Sequence, residues 1–273
     1  NEDTQRLLEK LNKSDLTLGK YLNGGIYRGV LTGLNTAFVI DEGTKNKLTE
    51  ADSKCSDLIK PFLAGGNINR YQFPTTNQYV ILIPHGWTNE QTDERDKWGW
   101  FKDSYPRIAS HLQQFEEKAK KRYDQGEYWW ELRACDYYEE FEKPKIIWAE
   151  IATRSQFTID TNNLYLDTTG YISSSDSKAL LGILNSSLWT FMFSSISSEI
   201  RGGYLRWKRQ YLESMPLPKS FEDNEKLGVL VDQILTVKRE DPDADTCALE
   251  AEIDRLVYEL YGLSEEEIGI VEG

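Results

Sequence analysis

The chain has 273 residues and a formal net charge of -13, with 39% hydrophobic, 12% aromatic and 28% charged residues. This is long enough for one large domain or two small ones with a sizeable core, and the composition is typical of a globular protein. No apolar run approaches the roughly 18 residues of a membrane span, the polar start does not resemble a signal peptide, and the cysteines fit neither a disulfide framework nor a zinc site, so we expect a cytoplasmic protein.

The first predicted elements are a helix and a series of short strands. Residues 2–22 place leucines among charged residues, which predicts a helical lead-in. From residue 24 the chain changes to short runs rich in β-branched and aromatic residues, separated by Gly, Pro, Asn and Asp, and this pattern predicts strands joined by turns. The predicted strands are IYRGVLTG, TAFVID, QYVILIP, PKIIWAEI, SQFTID and NLYLD.

Two helices are predicted to interrupt the strands. One spans about 104–123, where Ser104 is a candidate N-cap and Pro106 lies in the first turn. The other spans about 176–194 and is apolar enough to be mostly buried. Residues 215–224, MPLPKSFEDN, are predicted to be a linker because the two prolines prevent a continuous helix.

The C-terminal region is predicted to be an acidic helical hairpin. Its apolar residues recur at helical spacing, with Leu227, Leu230, Val231, Ile234 and Leu235 in one helix and Leu249, Ile253, Leu256, Val257 and Leu260 in the next. The turn is EDPDAD, and a capping-box pattern of Ser264 and Glu267 predicts a short last helix. Residues 220–273 carry a charge of -12 and residues 1–219 only -1, so the acidity lies in the hairpin.

These elements predict an α+β fold with a curved, mixed β-sheet, flanking helices and a C-terminal antiparallel helical hairpin. We expect three regions, 1–22, 23–219 and 220–273.

Motifs for catalysis are nearly absent from the sequence. It contains no G-x-G spacing for a nucleotide-binding loop and no Pro-Pro pair of the kind found in amino-methyltransferases. The Glu116-x-Lys118 pair lies within a charged helix and is a poor nuclease motif. His85 and His111 are better explained as a turn residue and a helix-surface residue than as metal ligands or general bases. We expect this chain by itself neither to methylate nor to cut DNA.

The stretch RGGYLRWKRQYL, residues 201–212, combines four basic residues, three aromatic residues and a Gly-Gly pair. Other aromatic residues also lie beside basic residues or glycines, as in Tyr27-Arg28-Gly29 and Arg70-Tyr71. A β-rich core that needs large side chains explains such a composition, and so does a nucleic-acid-binding face. Composition alone does not separate these two interpretations.

An ordered set of sequence blocks carries a family resemblance. The blocks are GIYRGVLTGLNTAFVID, LIKPFLAGGNINRYQF, YWWELRACDYYEEFEKPKIIWAEI, LLGILNSSLWTFMFSSI, RGGYLRWKRQYLESMPLP and AEIDRLVYELYGLSEEEIGIVE. Over residues 20–272 the chain resembles the TaqI-like C-terminal specificity domain, which is the target recognition domain of type IIG restriction–modification enzymes and related adenine methyltransferases. One loop departs from the family pattern, since FLAGGNINRY has Ala64 and Gly66 where relatives often have basic residues.

The resemblance implies a function in DNA recognition. Residues 23–219 would form the target recognition domain, placing a target adenine before a methyltransferase domain of the same polypeptide. That missing domain would bind S-adenosylmethionine, and no cofactor and no membrane are implied for this chain. Two alternatives remain open: a protein-interaction module of the same enzyme with little direct DNA contact, favoured by the acidic hairpin, and a nuclease, disfavoured by the lack of clustered metal ligands.

The resemblance also suggests which residues face DNA. In the last block, Tyr204, Arg206 and Lys208 would share one face of a strand entered through the Gly-Gly turn, while Leu205, Trp207 and Arg209 would share the other. We expect contacts from three segments, with glycines such as Gly29 and Gly33 allowing close approach of the backbone. The predicted DNA-binding residues are Arg28, Thr32, Asn35, Asn67, Asn69, Arg70, Arg201, Tyr204, Arg206 and Lys208.

Overall fold

The computed structural model describes residues 2–273. Its α-helices are α1 (Glu2–Leu11), α2 (Leu18–Tyr21), α3 (Asn35–Phe38), α4 (Glu42–Ala51), α5 (Trp87–Gln91), α6 (Lys97–Ser104), α7 (Pro106–Gln113), α8 (Glu116–Ala119), α9 (Lys178–Leu184), α10 (Ser187–Ile196), α11 (Arg209–Leu212), α12 (Glu225–Glu240), α13 (Cys247–Tyr261) and α14 (Glu265–Glu272). Its strands are β1 (Ile26–Arg28), β2 (Val39–Asp41), β3 (Ile59–Leu63), β4 (Gln78–Ile81), β5 (Lys145–Ala149), β6 (Ile151–Ala152), β7 (Phe157–Asp160), β8 (Tyr165–Leu166), β9 (Gly170–Ser173), β10 (Glu199–Ile200) and β11 (Tyr204–Arg206).

The strands form three small sheets, and the predicted α+β class is confirmed. One sheet has the order β1-β9-β5-β7 and is antiparallel throughout. A second has the order β2-β4-β3-β8 and is mixed, because β3 and β8 run parallel. The third, β10-β11-β6, is antiparallel and contains the strand of the RGGYLR stretch.

The strand β5 separates two hydrophobic cores. Successive side chains of a strand point to opposite faces of its sheet. Ile146 and Trp148 therefore pack into a core shared with α1, α9, α10 and the C-terminal hairpin, whereas Ile147 packs into a core shared with β2, β3, β4 and α7. Burial on both faces explains why the run KIIWA is continuously apolar after its first residue.

The C-terminal hairpin forms as predicted. Helices α12 and α13 are joined by the short turn 241–246, and Leu230, Ile234 and Ile253 are buried while Leu260 is half-buried. The hairpin packs on α9 at Gly182, where an added Cβ would lie 2.9 Å from a methyl group of Leu227. The predicted capping box of the last helix is also present, since Ser264 and Glu267 bond each other's backbone N–H groups.

Some predicted boundaries were wrong for identifiable reasons. Ser104 is the last residue of α6 and does not cap the next helix, although Pro106 does begin α7. The predicted helix 176–194 is two helices, because Ser186 caps α10 and the Asn185 side chain bonds the backbone of Phe157 in the neighbouring strand. The predicted linker 215–224 is partly packed into the core, because its first four residues, 215–218, are buried.

No single helix within residues 2–273 has both the length and the apolar character needed to cross a membrane. The bent pair α9 and α10 meets these requirements only when the two helices are taken together, and most of its side chains are buried in the protein core.

Candidate nucleic-acid interface

A short turn between β8 and β9, residues 167–169, joins the three segments predicted to face DNA. We call it the anchoring turn. The guanidinium Nε of Arg28 donates to the carbonyl oxygen of Thr168 at 2.8 Å. The backbone N–H of Gly65 donates to Thr169 Oγ1 at 3.0 Å, and the backbone N–H of Glu150 donates to the Thr169 carbonyl at 2.7 Å. Glu150 then accepts a backbone hydrogen bond from Trp207, which brings the third segment to the same place.

Two glycines are required by the close approach of the chain to the anchoring turn. A Cβ added to Gly29 would lie 1.7 Å from the carbonyl oxygen of Asp167, and one added to Gly65 would lie 2.2 Å from that of Thr169. Real Cβ atoms are not found at such distances. Gly29 therefore allows close contact within the protein, whereas the sequence analysis had predicted that it allows close approach of the backbone to DNA.

Three basic side chains converge on the carboxylate of Glu150, whose residue is only 8% exposed. We call Arg28, Arg206 and Lys208 the basic cluster. Arg28 Nη2 lies 3.0 Å from Glu150 Oε2, within hydrogen-bonding distance. Arg206 and Lys208 lie farther from Glu150 Oε1, at 3.8 and 3.6 Å. One carboxylate thus sits among three cations, two of which are attracted to it without a hydrogen bond.

The environment of Glu150 affects a neighbouring tyrosine. Burial raises the pKa of Tyr171, and the negative charge of Glu150 adds to this shift. Arg28 also lines a recess, together with Arg133, Tyr137 and Tyr138. Burial raises the pKa of Tyr137 to about 12, so its hydroxyl group stays neutral at ordinary pH.

The alternation predicted for residues 204–208 is present. Leu205 and Trp207 are buried, whereas Tyr204 is 44% exposed and Arg206 and Lys208 are half-buried. Trp207 is fixed by a hydrogen bond from its Nε1 to the carbonyl of Ala152 and by the ring of Phe193, 3.9 Å away. These contacts hold the exposed side chains of β11 at the surface.

Two other features of this stretch complete the hairpin. Arg201 is exposed in the turn before β11, where Gly202 and Gly203 have φ of 92° and 78°. Arg209 leaves the strand and begins α11, so it does not share the inner face that the sequence predicted.

The second predicted segment, which includes Asn67 and Asn69, borders a polar recess that also contains Asn77 and Gln78. We call these four side chains the amide recess. All four residues are exposed, and within residues 2–273 their side-chain amides have no hydrogen-bond partner. Each amide therefore keeps both its donor and its acceptor for an outside molecule.

Arg70 and Thr32 point into the protein. Arg70 pairs with Glu250 of α13, and its guanidinium also bonds the carbonyl of Asn185. Thr32 is 1% exposed, and its hydroxyl donates to Asn35 Oδ1 at 2.5 Å. The Thr32 carbonyl accepts from buried Arg122, whose pKa is lowered to about 10 by desolvation. Asn35 itself is exposed.

Sequence reasoning missed the residues that organise this surface. Glu150, Asp167 and Thr169 hold the segments together, and Asn77 and Gln78 complete the amide recess. A charged residue within the apolar run IIWAEI was a signal that Glu150 has a partner, because buried charges are rarely left unpaired. No feature of the local sequence indicated the contacts that Asp167 and Thr169 make within the protein.

The two histidines take the structural places that the sequence favoured. His111 Nε2 lies 2.9 Å from the Ala37 carbonyl, and His85 is exposed next to the turn residue Gly86. In the part of the chain that the structure describes, residues 2–273, no three His, Cys, Asp or Glu side chains come together in a way that could hold a metal ion.

Comparison with known proteins identifies the family. The TaqI-like C-terminal specificity domain matches residues 60–217. The type II methyltransferase M.PaeR7I of Pseudomonas aeruginosa is 26% identical over 174 residues, covering 60% of this chain and 28% of that protein. For M.BstVI of Geobacillus stearothermophilus the identity is 26% over 180 residues, covering 62% and 29%. The chain therefore spans less than a third of the length of these relatives.

A solved structure shares the fold. The type IIL restriction-modification enzyme MmeI, in complex with DNA, matches 90% of this chain and 34% of its own with a TM-score of 0.63 at 12% identity. At this identity the match shows a common fold. Because the family match covers more than half of the chain, this protein belongs to the TaqI-like C-terminal specificity domain family.

Proposed function

We propose that this chain recognises a specific sequence in duplex DNA, as the specificity domain of a restriction–modification adenine methyltransferase. The observation that carries the proposal is the anchoring turn, which collects Arg28, Gly65 and the strand before Trp207 at one surface. These segments are distant in sequence and were each expected to face DNA. Membership of the specificity-domain family supports the same function.

The surface divides into two chemical parts. Arg206 and Lys208 of the basic cluster suit phosphate oxygens or the edge of guanine. The amide recess suits base edges, because an Asn or Gln side chain donates to and accepts from adenine at the same time. Phosphate contacts would position the duplex, and contacts from Asn67, Asn69, Asn77 and Gln78 would add sequence preference.

The residues predicted to bind DNA have different roles in this proposal. Arg28, Asn35, Arg201 and Tyr204 are exposed and remain proposed DNA contacts. Arg70 and Thr32 are occupied by partners within the protein. We infer that these last two support the interface from behind.

Methyl transfer would belong to a domain outside this chain. The curated relatives are type II methyltransferases of more than three times the matched length, which supports a methyltransferase domain on the same polypeptide. S-adenosylmethionine does not fit the residues present here. A nucleotide-type cofactor is usually held by a glycine-rich loop that opens a helix. In residues 2–273 neither the recess beside Arg28 nor the amide recess is lined by such a loop leading into an α-helix, and the Gly65-Gly66 pair begins only a short 3-10 turn that ends at Asn67.

A direct test is the binding of the 273-residue chain to random duplex DNA at several salt concentrations, followed by selection from a randomised duplex library. We expect affinity to fall with salt and one sequence to be enriched. Binding without enrichment would contradict sequence-specific recognition. Absence of duplex binding would instead favour the protein-interaction module.

A further inference from the structure

We infer that Glu150 is a positioning residue that fixes Arg28 and limits the grip of Arg206 and Lys208 on arbitrary DNA. This inference rests on the proposed function and assigns a specificity-determining role to an acidic residue within the basic surface. The Glu150 side chain is 10% exposed, and its three cationic neighbours come from β1, from β11 and from the residue before α11.

Arg28 is held at two points. Its Nη2 bonds Glu150 Oε2 at 3.0 Å, and its Nε bonds the Thr168 carbonyl at 2.8 Å. A guanidinium group is planar, so two such bonds fix the direction of its remaining N–H groups. The side chain is still 52% exposed. Arg28 therefore presents a preset donor edge, which suits a base or phosphate at one defined position.

Arg206 and Lys208 are held differently. Their distances of 3.8 and 3.6 Å from Glu150 Oε1 are too long for hydrogen bonds, so the attraction is electrostatic and the donors stay available. The carboxylate lowers the local charge of the basic cluster from three positive charges to two. Because phosphate contacts supply most non-specific affinity, this reduction weakens binding to DNA of any sequence.

The backbone of Glu150 has a separate role, so the side chain can be changed without removing the backbone hydrogen bonds. Its N–H bonds the Thr169 carbonyl and its carbonyl accepts from the Trp207 N–H. Both bonds survive a change of side chain. Glu150→Gln keeps the size and removes the charge, whereas Glu150→Asp keeps the charge but shortens the reach to Arg28.

The two variants are expected to affect binding by the 273-residue chain in different ways. Glu150→Gln should bind random duplex DNA about 3- to 10-fold more tightly, and its salt dependence should steepen by about one counterion. Glu150→Asp should leave random-duplex affinity and salt dependence unchanged but reduce the enrichment obtained in library selection. If Glu150 had a purely structural role, Glu150 variants with wild-type melting temperatures would show the wild-type salt slope and the wild-type sequence preference.

Glu252→Gln is the matched control, since it removes one negative charge on α13, where Glu252 pairs with Lys226 and Arg255. An equal gain in affinity for Glu252→Gln would show that only net charge matters and would overturn the inference. The inference would also be overturned if both Glu150 variants had the wild-type salt slope and the wild-type enrichment in library selection.

If Glu150→Gln does not fold, Arg28→Gln tests the same inference by removing the positive partner of the ion pair. Without Arg28, the carboxylate would draw Arg206 and Lys208 closer, and the salt slope should fall by more than the roughly one counterion of a single lost contact. A fall of one or less would overturn the inference. Failure of the wild-type chain to bind any duplex would overturn the proposed function as well, which separates the two cases.

Discussion

Arg70 and Glu250 are 180 residues apart in sequence and form an ion pair that ties the amide recess segment to the C-terminal hairpin. Arg70 Nε lies 2.7 Å from Glu250 Oε2, and Nη2 contacts the same oxygen. The two side chains are 13% and 22% exposed. The pair therefore lies in partly desolvated surroundings, where the loss of one partner leaves the other charge poorly compensated.

Arg70→Ala is predicted to destabilise the fold by about 2–4 kcal/mol, because among residues 2–273 Glu250 would keep only the hydroxyl of Thr246 as a side-chain hydrogen-bond partner. Urea unfolding measures this loss. Arg255→Ala, which removes an exposed arginine of the same helix, should leave the midpoint nearly unchanged. A normal midpoint for Arg70→Ala combined with lost duplex binding would instead make Arg70 the DNA contact that the sequence suggested.

Gly29→Ala is predicted to destabilise the protein by about 2 kcal/mol or more in the absence of DNA, because the new methyl group would meet the Asp167 carbonyl. Gly66→Ala is the control, since no atom of residues 2–273, apart from Gly66 and its two chain neighbours, lies within 4 Å of its Cβ position. Thermal melting of both variants measures the difference. Equal stability would mean that the anchoring turn does not constrain this position.

Arg206→Ala and Lys208→Ala are predicted to weaken DNA binding in distinguishable ways. Lys208 should act as a phosphate contact, so its loss should lower affinity for all duplexes and flatten the salt dependence by about one counterion. Arg206 should act on a base edge, so its loss should cost about 1–3 kcal/mol on the selected sequence and little on random DNA. Filter binding at several salt concentrations separates these patterns, and wild-type behaviour of both variants would point to a protein interface.

Asn77→Ala and Gln78→Ala are predicted to change which sequence is enriched while leaving affinity for random DNA unchanged. Their amides are exposed and make no hydrogen bond within residues 2–273, so truncation removes nothing that the fold needs. Library selection followed by sequencing checks this result. Gln113→Ala, at the exposed end of α7, serves as the control. The same enriched sequence in all three variants would remove the amide recess from the recognition surface.

Ile253→Asp is predicted to destabilise the protein by about 3 kcal/mol or more, because Ile253 is 1% exposed and the new carboxylate would lack a partner. Val229→Asp places the same charge at a 54% exposed position of the same hairpin and should have little effect. Melting temperatures of the two variants compare them directly. An unchanged value for Ile253→Asp would show that the stripe of α13 is not buried.

Local patterns in the sequence determined several elements without reference to the rest of the chain. The leucine spacing of α12 and α13 reflects the period of a helix, and the alternation around Leu205 and Trp207 reflects the period of a strand. Pro106 begins a helix because its missing N–H has no partner there in any case. Such signals depend on neighbours within one or two turns, so one sequence suffices to read them.

The tertiary structure alone decided which side chains meet. Nothing in the local sequence indicates that Arg28 and Lys208 share Glu150, that Arg70 turns away to Glu250, or that Asn77 joins Asn67 at one recess. The physical reason is that these contacts depend on the paths of strands far apart in sequence, and an exposed arginine and a paired arginine have the same local pattern. The sequence thus indicated the residue types of the surface that we propose to face DNA, whereas their partners were set by the packing of β1, β9 and β11 around one turn.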